Sequence, residues 1–177
     1  MWRRGVLLGA LALTGCGFRP LYGPDGERRA PELAGEPSLL QEMAAVRVAR
    51  IPERNGQLLR RHLQNRLEDR APGTLARYEL LANLAARTEV LGFRRDGSIS
   101  RVRAIATVTW VLTDGGTPPT VIDRGQVRTL DAYNIPDLQF FAADTSRDDM
   151  DSRIITELGD QVVLGVAAAL RRRLAAG

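Results

Sequence analysis

The chain has 177 residues, of which 44% are hydrophobic and 26% are charged, and its formal net charge at pH 7 is +4. This length and composition suit one folded domain with its own core. So small a net charge gives no case by itself for a nucleic-acid partner. A single cysteine excludes a disulfide framework within the chain, and the absence of lysine excludes a P-loop.

The start of the chain has the order of a bacterial export signal. Two arginines form a basic start, residues 5–13 are uncharged and mostly apolar, and small residues follow up to Cys16. Basic, apolar, then small is the pattern of a secretory signal peptide. The apolar run is shorter than the roughly 20 residues that span a bilayer. We therefore predict a signal peptide over residues 1–15.

The ending Leu-Thr-Gly-Cys is more specific than that of an ordinary signal peptide. It resembles the bacterial lipobox, in which the cysteine thiol receives a diacylglyceryl group and becomes the first residue of the mature protein. Cys16 is thus the predicted lipidation site, and each methylene of an acyl chain such as palmitate then contributes about 0.8 kcal/mol to anchoring. Gly17 stands where an aspartate would resemble an inner-membrane retention signal, which favours the outer membrane. The alternative is a buried helix with a core cysteine.

A tether and two elements are predicted next. Residues 16–43 are rich in glycine, proline and charge, which predicts a tether between the lipid and a folded body over residues 44–177. The body begins with a short strand over Val46–Ile51. A helix is predicted over Gly56–Arg70, because leucines recur every four residues along one stripe, and Ala71-Pro72-Gly73 ends it.

Three strands then form a meander. Period-two alternation over residues 78–90 and 102–112 indicates strands that each have one buried face. Asp96-Gly97 between them is a hairpin signal, and a glycine- and proline-rich stretch makes the next turn. Residues 121–130 form the third strand, in which Gly125 is predicted to mark a bulge.

The last segment is predicted to be a helix. Thr145 or Ser146 caps it, and the acids that follow suit the positive end of the helix dipole. An apolar stripe runs from Ile154 to Leu170, and Arg171–Arg173 end the helix. The order β-α-β-β-β-α predicts an α+β fold, a two-layer sandwich with two helices on one face of a four-stranded, mostly antiparallel sheet.

Few residues are suited to catalysis. His62 is the only histidine, and no nucleophile accompanies it in sequence, whereas a catalytic imidazole needs one. Asp144–Asp151 fails as a calcium loop, because position six is Asp149 where glycine is required and position twelve is Ile155 where glutamate is required. We therefore predict that the protein is not an enzyme and uses no cofactor or metal. A lipoprotein hydrolase stays open as an alternative.

The candidate binding segment is GFRRDGSISRVR, residues 92–103. Arg94 and Arg95 are expected to project together from a hairpin tip, and Arg101 and Arg103 follow on the polar face of the next strand. Arginine forks bind phosphate in bidentate fashion. On these residues alone, a solvated turn beside a solvated sheet face is the simpler interpretation.

Two stretches carry a resemblance to a known family. CGFRPLYG, which begins at Cys16, resembles the mature start of the lipopolysaccharide-assembly lipoprotein family LptE in its alphaproteobacterial form. LGFRRDGSISR resembles the hairpin of that family, and the long C-terminal helix is similar to its end. The resemblance implies a non-enzymatic two-layer sandwich. It also implies a complex with the outer-membrane β-barrel protein LptD, in which the lipoprotein helps to deliver lipopolysaccharide to the cell surface.

The resemblance further implies a ligand and a location. Lipopolysaccharide binding carries over to Arg94 and, less directly, to Arg95, while Arg101 and Arg103 are added from their place on the adjoining strand. Enteric members have a lysine near the start of the last helix, where this chain reads Ala-Ala-Asp-Thr-Ser. The expected location is the outer membrane, lipid-anchored and facing the periplasm or the barrel lumen. The alternative is an accessory lipoprotein of another envelope lipid-transport complex.

Overall fold

The computed structural model describes residues 37–136 and 140–176, which belong to one compact unit of the chain, residues 36–177. The helices described are α1 (Pro37–Ala44), α2 (Arg54–Arg66) and α3 (Phe140–Ala176), and the strands are β1 (Val46–Val48), β2 (Tyr78–Phe93), β3 (Ile99–Thr113) and β4 (Val121–Asn134). A short 3-10 helix, Glu68–Arg70, follows α2. The predicted signal peptide, Cys16 and most of the predicted tether lie outside the described residues.

The four strands form one mixed sheet in the order β1-β2-β3-β4. β1 is parallel to β2, with Val46 opposite Tyr78, and the crossover between them contains α2. β2, β3 and β4 are antiparallel neighbours, as expected of consecutive strands that short turns connect. The predicted α+β class and the predicted succession β-α-β-β-β-α are confirmed, and α1 precedes them.

One face of the sheet packs against the helices. The even-numbered residues of β3 point to this face, where Ala106, Val108 and Leu112 are buried. The apolar stripes of α2 and α3, together with Leu67 just after the end of α2, are buried against them: Leu59, Leu63, Leu67, Ile154, Leu158, Val162, Val166 and Leu170. Burying a leucine side chain contributes about 1.5–3 kcal/mol relative to exposing it, so these stripes hold the two layers together. The other face of the sheet is called the open face below.

Trp110 on β3 occupies a space that two glycines leave for it. A Cβ atom on Gly125 would lie 2.7 Å from Trp110 Cζ2, and one on Gly165 of α3 would lie 2.6 Å from the same atom. Gly125 pairs in regular register opposite Trp110, so the bulge predicted there is wrong. The register shift of this strand pair lies between Leu112 and Thr113. Gly125 is needed because an indole ring approaches the backbone of β4 closely.

Several element boundaries differ from the predictions. β1 ends at Val48 and α2 at Arg66, whereas the predicted ends were Ile51 and Arg70. α1 falls inside the segment predicted to be tether, and its Leu39 and Met43 are buried in the core, so residues 37–43 belong to the folded body. α3 begins at Phe140, which places Thr145 and Ser146 within the helix and not at its cap. Ser146 Oγ donates to Ala142 O at 2.7 Å, a bond that serine often makes inside a helix.

β2 is covered by the helical layer only near its start. On the helix-facing side, Tyr78 and Leu80 are buried, Ala82 and Leu84 are half-buried, and side chains from Ala86 onward are exposed. The second half of β2 is therefore exposed on both faces among the described residues, apart from partial cover at single positions. The β2–β3 hairpin presents its turn at this uncovered end of the sheet.

Candidate functional site

The hairpin turn is built by local hydrogen bonds. Gly97 N donates to Arg94 O at 3.0 Å, and Arg94 N donates to Ser98 O at 2.8 Å. Gly97 has φ +83°, a left-handed conformation that favours glycine. Asp96 Oδ1 accepts from Ser98 N at 3.0 Å and from Ser98 Oγ at 2.8 Å, and these bonds lower the pKa of Asp96. The Asp96-Gly97 hairpin prediction is confirmed, and these hydrogen bonds hold the turn in one conformation.

The Arg94 side chain does not project from the turn as expected. Its guanidinium folds back, and Nη1 donates to Ser98 Oγ at 3.1 Å and to Ile99 O at 2.9 Å. Nη2 donates to Ile135 O, just beyond the end of β4. Arg94 therefore ties the turn to the neighbouring strand, because its side chain finds three acceptors within reach. The expectation that Arg94 and Arg95 point outward together is wrong for Arg94.

Arg95 and Arg101 differ from Arg94 in that their guanidinium groups are available to a ligand. Both are exposed, and neither side chain forms a hydrogen bond or ion pair with any residue in the described ranges. Arg101 lies on the open face between Gly92 of β2 and Asn134 of β4. A guanidinium without a protein partner keeps all five donors for a ligand or for water. These two positions are therefore suited to an anionic ligand.

Arg103 is already paired. Its Nη2 lies 2.6 Å from Glu89 Oε2, and Arg87 Nη2 lies 3.4 Å from Glu89 Oε1. The hydrogen bond from Arg103, with the charges of nearby arginines, lowers the pKa of Glu89. Glu89 stays ionised at neutral pH and offsets part of the local positive charge. Within the described residues, Arg95 and Arg101 are thus unpaired, whereas Arg94 and Arg103 are bound to other parts of the protein.

Exposed apolar side chains lie close in sequence to the hairpin arginines, and they were not among the predicted site residues. Phe93 is 67% exposed, and Val90, Leu91 and Ile99 are also exposed. Register shifts on either side of Gly92 interrupt the alternation just where these side chains occur. Their sequence signal was the aromatic residue directly before the arginine pair. The hairpin end therefore combines cationic and apolar surface.

His62 packs between α2 and α3. Its Nε2 lies 3.0 Å from Asp160 Oδ1, and Arg66 Nη2 lies 2.9 Å from the same oxygen. A Cβ on Gly159 would lie 2.4 Å from His62 Cδ2, so the ring lies against the α3 backbone. In the part of the chain that is described, no hydroxyl or thiol forms a hydrogen bond with the ring. The ring has the surroundings of a structural histidine.

The acidic start of α3 lines a polar cleft of about 500 Å³ with the beginning of α2. Arg54 Nη1 lies 3.1 Å from Asp148 Oδ1, and Asn55 Nδ2 donates to Asp151 Oδ2 at 3.1 Å.

Within residues 37–136 and 140–176, no group of three or more acidic, histidine or cysteine side chains is arranged to hold a metal ion. Over the same ranges, no helix is long and apolar enough to span a bilayer.

Comparison with known proteins gives a family match and several structural neighbours. Residues 43–176 match the family model LptE, whose description is lipopolysaccharide-assembly. The chain is similar to a solved lipoprotein from Caulobacter crescentus CB15, with a TM-score of 0.61 and 21% identity over 76% of this chain and 96% of that one. No curated protein matches the chain.

Two further solved structures share the fold. The minor lipoprotein from Acinetobacter baumannii matches with a TM-score of 0.54 and 16% identity, over 71% of this chain and 92% of that one. Rare lipoprotein B from Shewanella oneidensis matches with a TM-score of 0.52 and 13% identity, over 73% of this chain and 98% of that one. At these identities the likeness concerns the arrangement of helices and strands alone.

Proposed function

Because the chain belongs to the LptE lipopolysaccharide-assembly family, we propose that it acts as a non-enzymatic outer-membrane lipoprotein in complex with the β-barrel protein LptD. In this role it binds lipopolysaccharide and assists its assembly at the cell surface. The family match spans residues 43–176, which include all of the sheet, α2 and α3. The lipobox-like stretch at Cys16 supports a lipid anchor.

The observation that carries the ligand proposal is the pairing of free cations with exposed apolar side chains at the hairpin. Arg95 and Arg101 have no protein partner in the described residues, and Phe93 and Ile99 are exposed close by in sequence. Lipopolysaccharide presents phosphates and acyl chains in one molecule, which matches both kinds of surface. Arginine–phosphate hydrogen bonds are charge-assisted and among the stronger ones. Arg94 acts here as a positioning residue, because its donors are used within the hairpin.

Lipopolysaccharide binding tests this assignment. In the double variant Arg95→Gln/Arg101→Gln, affinity should fall at least tenfold, which is about 1.4 kcal/mol. The matched control is Arg61→Gln/Arg171→Gln, which removes the same charge from exposed helix positions. Affinity of the control should change less than twofold. Equal losses in both double variants would show that net charge alone governs binding, and would contradict a hairpin site.

The anchor and the protein partner need separate measurements. Mass spectrometry of the mature protein should find Cys16 as an acylated N-terminus, and Cys16→Ala should block maturation. A pull-down from detergent-solubilised outer membrane should recover LptD. Recovery of an inner-membrane transporter complex in its place would favour the accessory-lipoprotein alternative, and an unmodified Cys16 would contradict the anchor.

A further inference from the structure

The open face of the sheet is positively charged, because it has more arginines than acidic residues. Cross-strand register places six arginines on it, opposed by two glutamates: Arg47, Arg87, Arg101, Arg103, Arg124, Arg128, Glu79 and Glu89. The aspartates Asp123 and Asp131 of β4 point to the other face, where Arg172 and Arg153 of α3 pair with them at 2.7 Å. Acids on β4 are therefore neutralised on the helix side, and the open face keeps an excess of arginine.

A depression of about 210 Å³ lies near the middle of this face, lined by Ala85, Ala86, Arg87, Ile105, Thr107 and Arg128. The register explains its shape. Ala85, Thr107 and Arg128 form one row across β2, β3 and β4, and the next row contains Arg87 and Ile105. Small side chains at Ala85 and Thr107 leave room between two arginines that stand on the strands flanking β3. Ile105 is buried beside them despite lying on the open face.

The charge at the depression is largely uncompensated. Arg128 has no salt bridge or side-chain hydrogen bond within the described ranges, and it acts on Glu89 only at longer range. Arg87 shares Glu89 with Arg103, but its 3.4 Å contact is the longer one and its side chain is 67% exposed. Three arginines thus surround one glutamate. As far as residues 37–136 and 140–176 are concerned, Arg87 and Arg128 keep donors free on both sides of the Thr107 hydroxyl.

We propose that this depression binds a phosphorylated sugar of the lipopolysaccharide molecule, with the phosphate between Arg87 and Arg128. Two guanidinium forks and a hydroxyl suit the oxygens of a phosphate group. The row of Ala85, Thr107 and Arg128 has another neighbouring row, on the side away from Arg87. That row holds the exposed, neutral hydrogen-bonding side chains of Asn83, Thr109 and Gln126. Rows on one face lie about 7 Å apart, which is the reach of a sugar ring attached to the bound phosphate. The inference rests on the proposed function for the source of the ligand.

This site is distinct from the hairpin end. Arg101 and Thr107 lie on the same strand and face, six residues and therefore about 20 Å apart. One phosphate cannot bridge that distance. A glycolipid with several phosphorylated sugars can occupy both places, so the open face extends recognition from the hairpin along the length of the sheet.

Nuclear magnetic resonance titration of the full-length chain tests the site directly. The protein is held in a polyoxyethylene detergent, which carries neither sugar nor phosphate, and the probes are α-D-glucose 1-phosphate, inorganic phosphate and glucose. Glucose 1-phosphate should shift the backbone amides of Thr107 and Arg128 and bind at least fivefold more tightly than inorganic phosphate, while glucose alone should not bind. Arg128→Gln should weaken glucose 1-phosphate binding at least tenfold, and Thr107→Val about threefold.

Arg124→Gln is the matched control. Arg124 lies on the same strand and face as Arg128, four residues and therefore about 13 Å away, and opposite Val111 outside the depression. The variant has the same net charge as Arg128→Gln, and its affinity should change less than twofold. Equal losses in the two variants would assign binding to the charge of the whole face and would overturn the proposal. An inorganic phosphate affinity equal to that of the sugar phosphate would overturn the sugar assignment.

Intact lipopolysaccharide identifies the source of the sugar phosphate. Adding Arg128→Gln to the Arg95→Gln/Arg101→Gln variant should weaken lipopolysaccharide binding at least threefold further. No further loss, with glucose 1-phosphate binding abolished, would assign the site to a soluble sugar phosphate and overturn the glycolipid source. The glucose 1-phosphate titration contains neither LptD nor lipopolysaccharide. A failed pull-down of LptD would therefore contradict the proposed function without touching this result.

Discussion

Arg94 and Arg95 are adjacent arginines with opposite expected roles, and exchanging each for glutamine separates them. Arg94→Gln removes the guanidinium that donates to Ser98 Oγ, Ile99 O and Ile135 O. Arg95→Gln removes the same charge from a side chain without a partner in the described residues. We expect Arg94→Gln to loosen the hairpin end and Arg95→Gln to leave it unchanged.

The size of the effect follows from where the three bonds lie. The bonds to Ser98 Oγ and Ile99 O are exposed, whereas the bond to Ile135 O is partly buried. A hydrogen bond from a charged group contributes about 1.5–3 kcal/mol, with the lower values applying in open water. We therefore expect Arg94→Gln to cost roughly 2 kcal/mol. An exposed substitution without contacts, such as Arg95→Gln, should stay within about 0.5 kcal/mol.

Amide hydrogen exchange measures this locally, because a hairpin end can open without global unfolding. Ile135 N donates to Ser100 O at 2.9 Å, so its amide reports on the link between β3 and the end of β4. A cost of 2 kcal/mol corresponds to about 30-fold faster exchange of Ile135 in Arg94→Gln. If Ile135 exchanges at the same rate in Arg94→Gln and Arg95→Gln, the positioning role of Arg94 is refuted.

Two further predictions concern the body of the fold. Gly125→Ala should lower the free energy of unfolding by about 1–3 kcal/mol, because its Cβ would overlap the Trp110 ring. Chemical denaturation should show that the same substitution costs less in a Trp110→Leu background. An unchanged cost in that background would exclude the overlap as the cause. Asp114 Oδ1 accepts from Thr120 N at 2.8 Å and Gly116 N at 3.1 Å, and these bonds lower the pKa of Asp114. Its carboxylate therefore stabilises the fold above the unfolded pKa of about 4, and the contribution disappears as pH falls through the lower folded pKa. Melting temperatures between pH 5 and pH 2 should fall less for Asp114→Asn than for the wild type, and equal falls would argue against this role.

The layers of the fold were predictable because long periodic segments carry them. Alternation over residues 102–112 predicted the buried face of β3, and the stripe from Ile154 to Leu170 predicted the packed face of α3. Boundaries were less predictable. The tether-like composition before residue 44 concealed α1, whose eight residues give too short a pattern to stand out. Thr145 was a reasonable cap by residue type, but α3 begins earlier, at Phe140.

The site was predictable only in part, because its contacts are distant in sequence. The two arginines of LGFRRDGSISR are equivalent by residue type, and what distinguishes them is Ile135, which lies 41 residues beyond Arg94. The depression on the open face depends on which residues of β2 and β4 stand beside Thr107. Strand register determines those neighbours, and the turns help to fix the register. The alternation of apolar and polar residues within each strand does not show which residues of two strands are paired. Arg87 and Arg128 were therefore not among the predicted site residues.

The glycine-lined space around Trp110 has a practical consequence for spectroscopy. The chain has two tryptophans, and the other is Trp2, inside the segment predicted to be removed on export. A mature protein that starts at Cys16 then has a single indole, which is buried at the helix–sheet boundary and whose Nε1 has no hydrogen-bond partner in the described residues. Its fluorescence emission should be strongly blue-shifted and should move to the red only when α3 separates from the sheet. If export removes Trp2 as predicted, the mature protein has a single fluorescent reporter of whether the two layers stay together when it meets a membrane, a lipid or a partner.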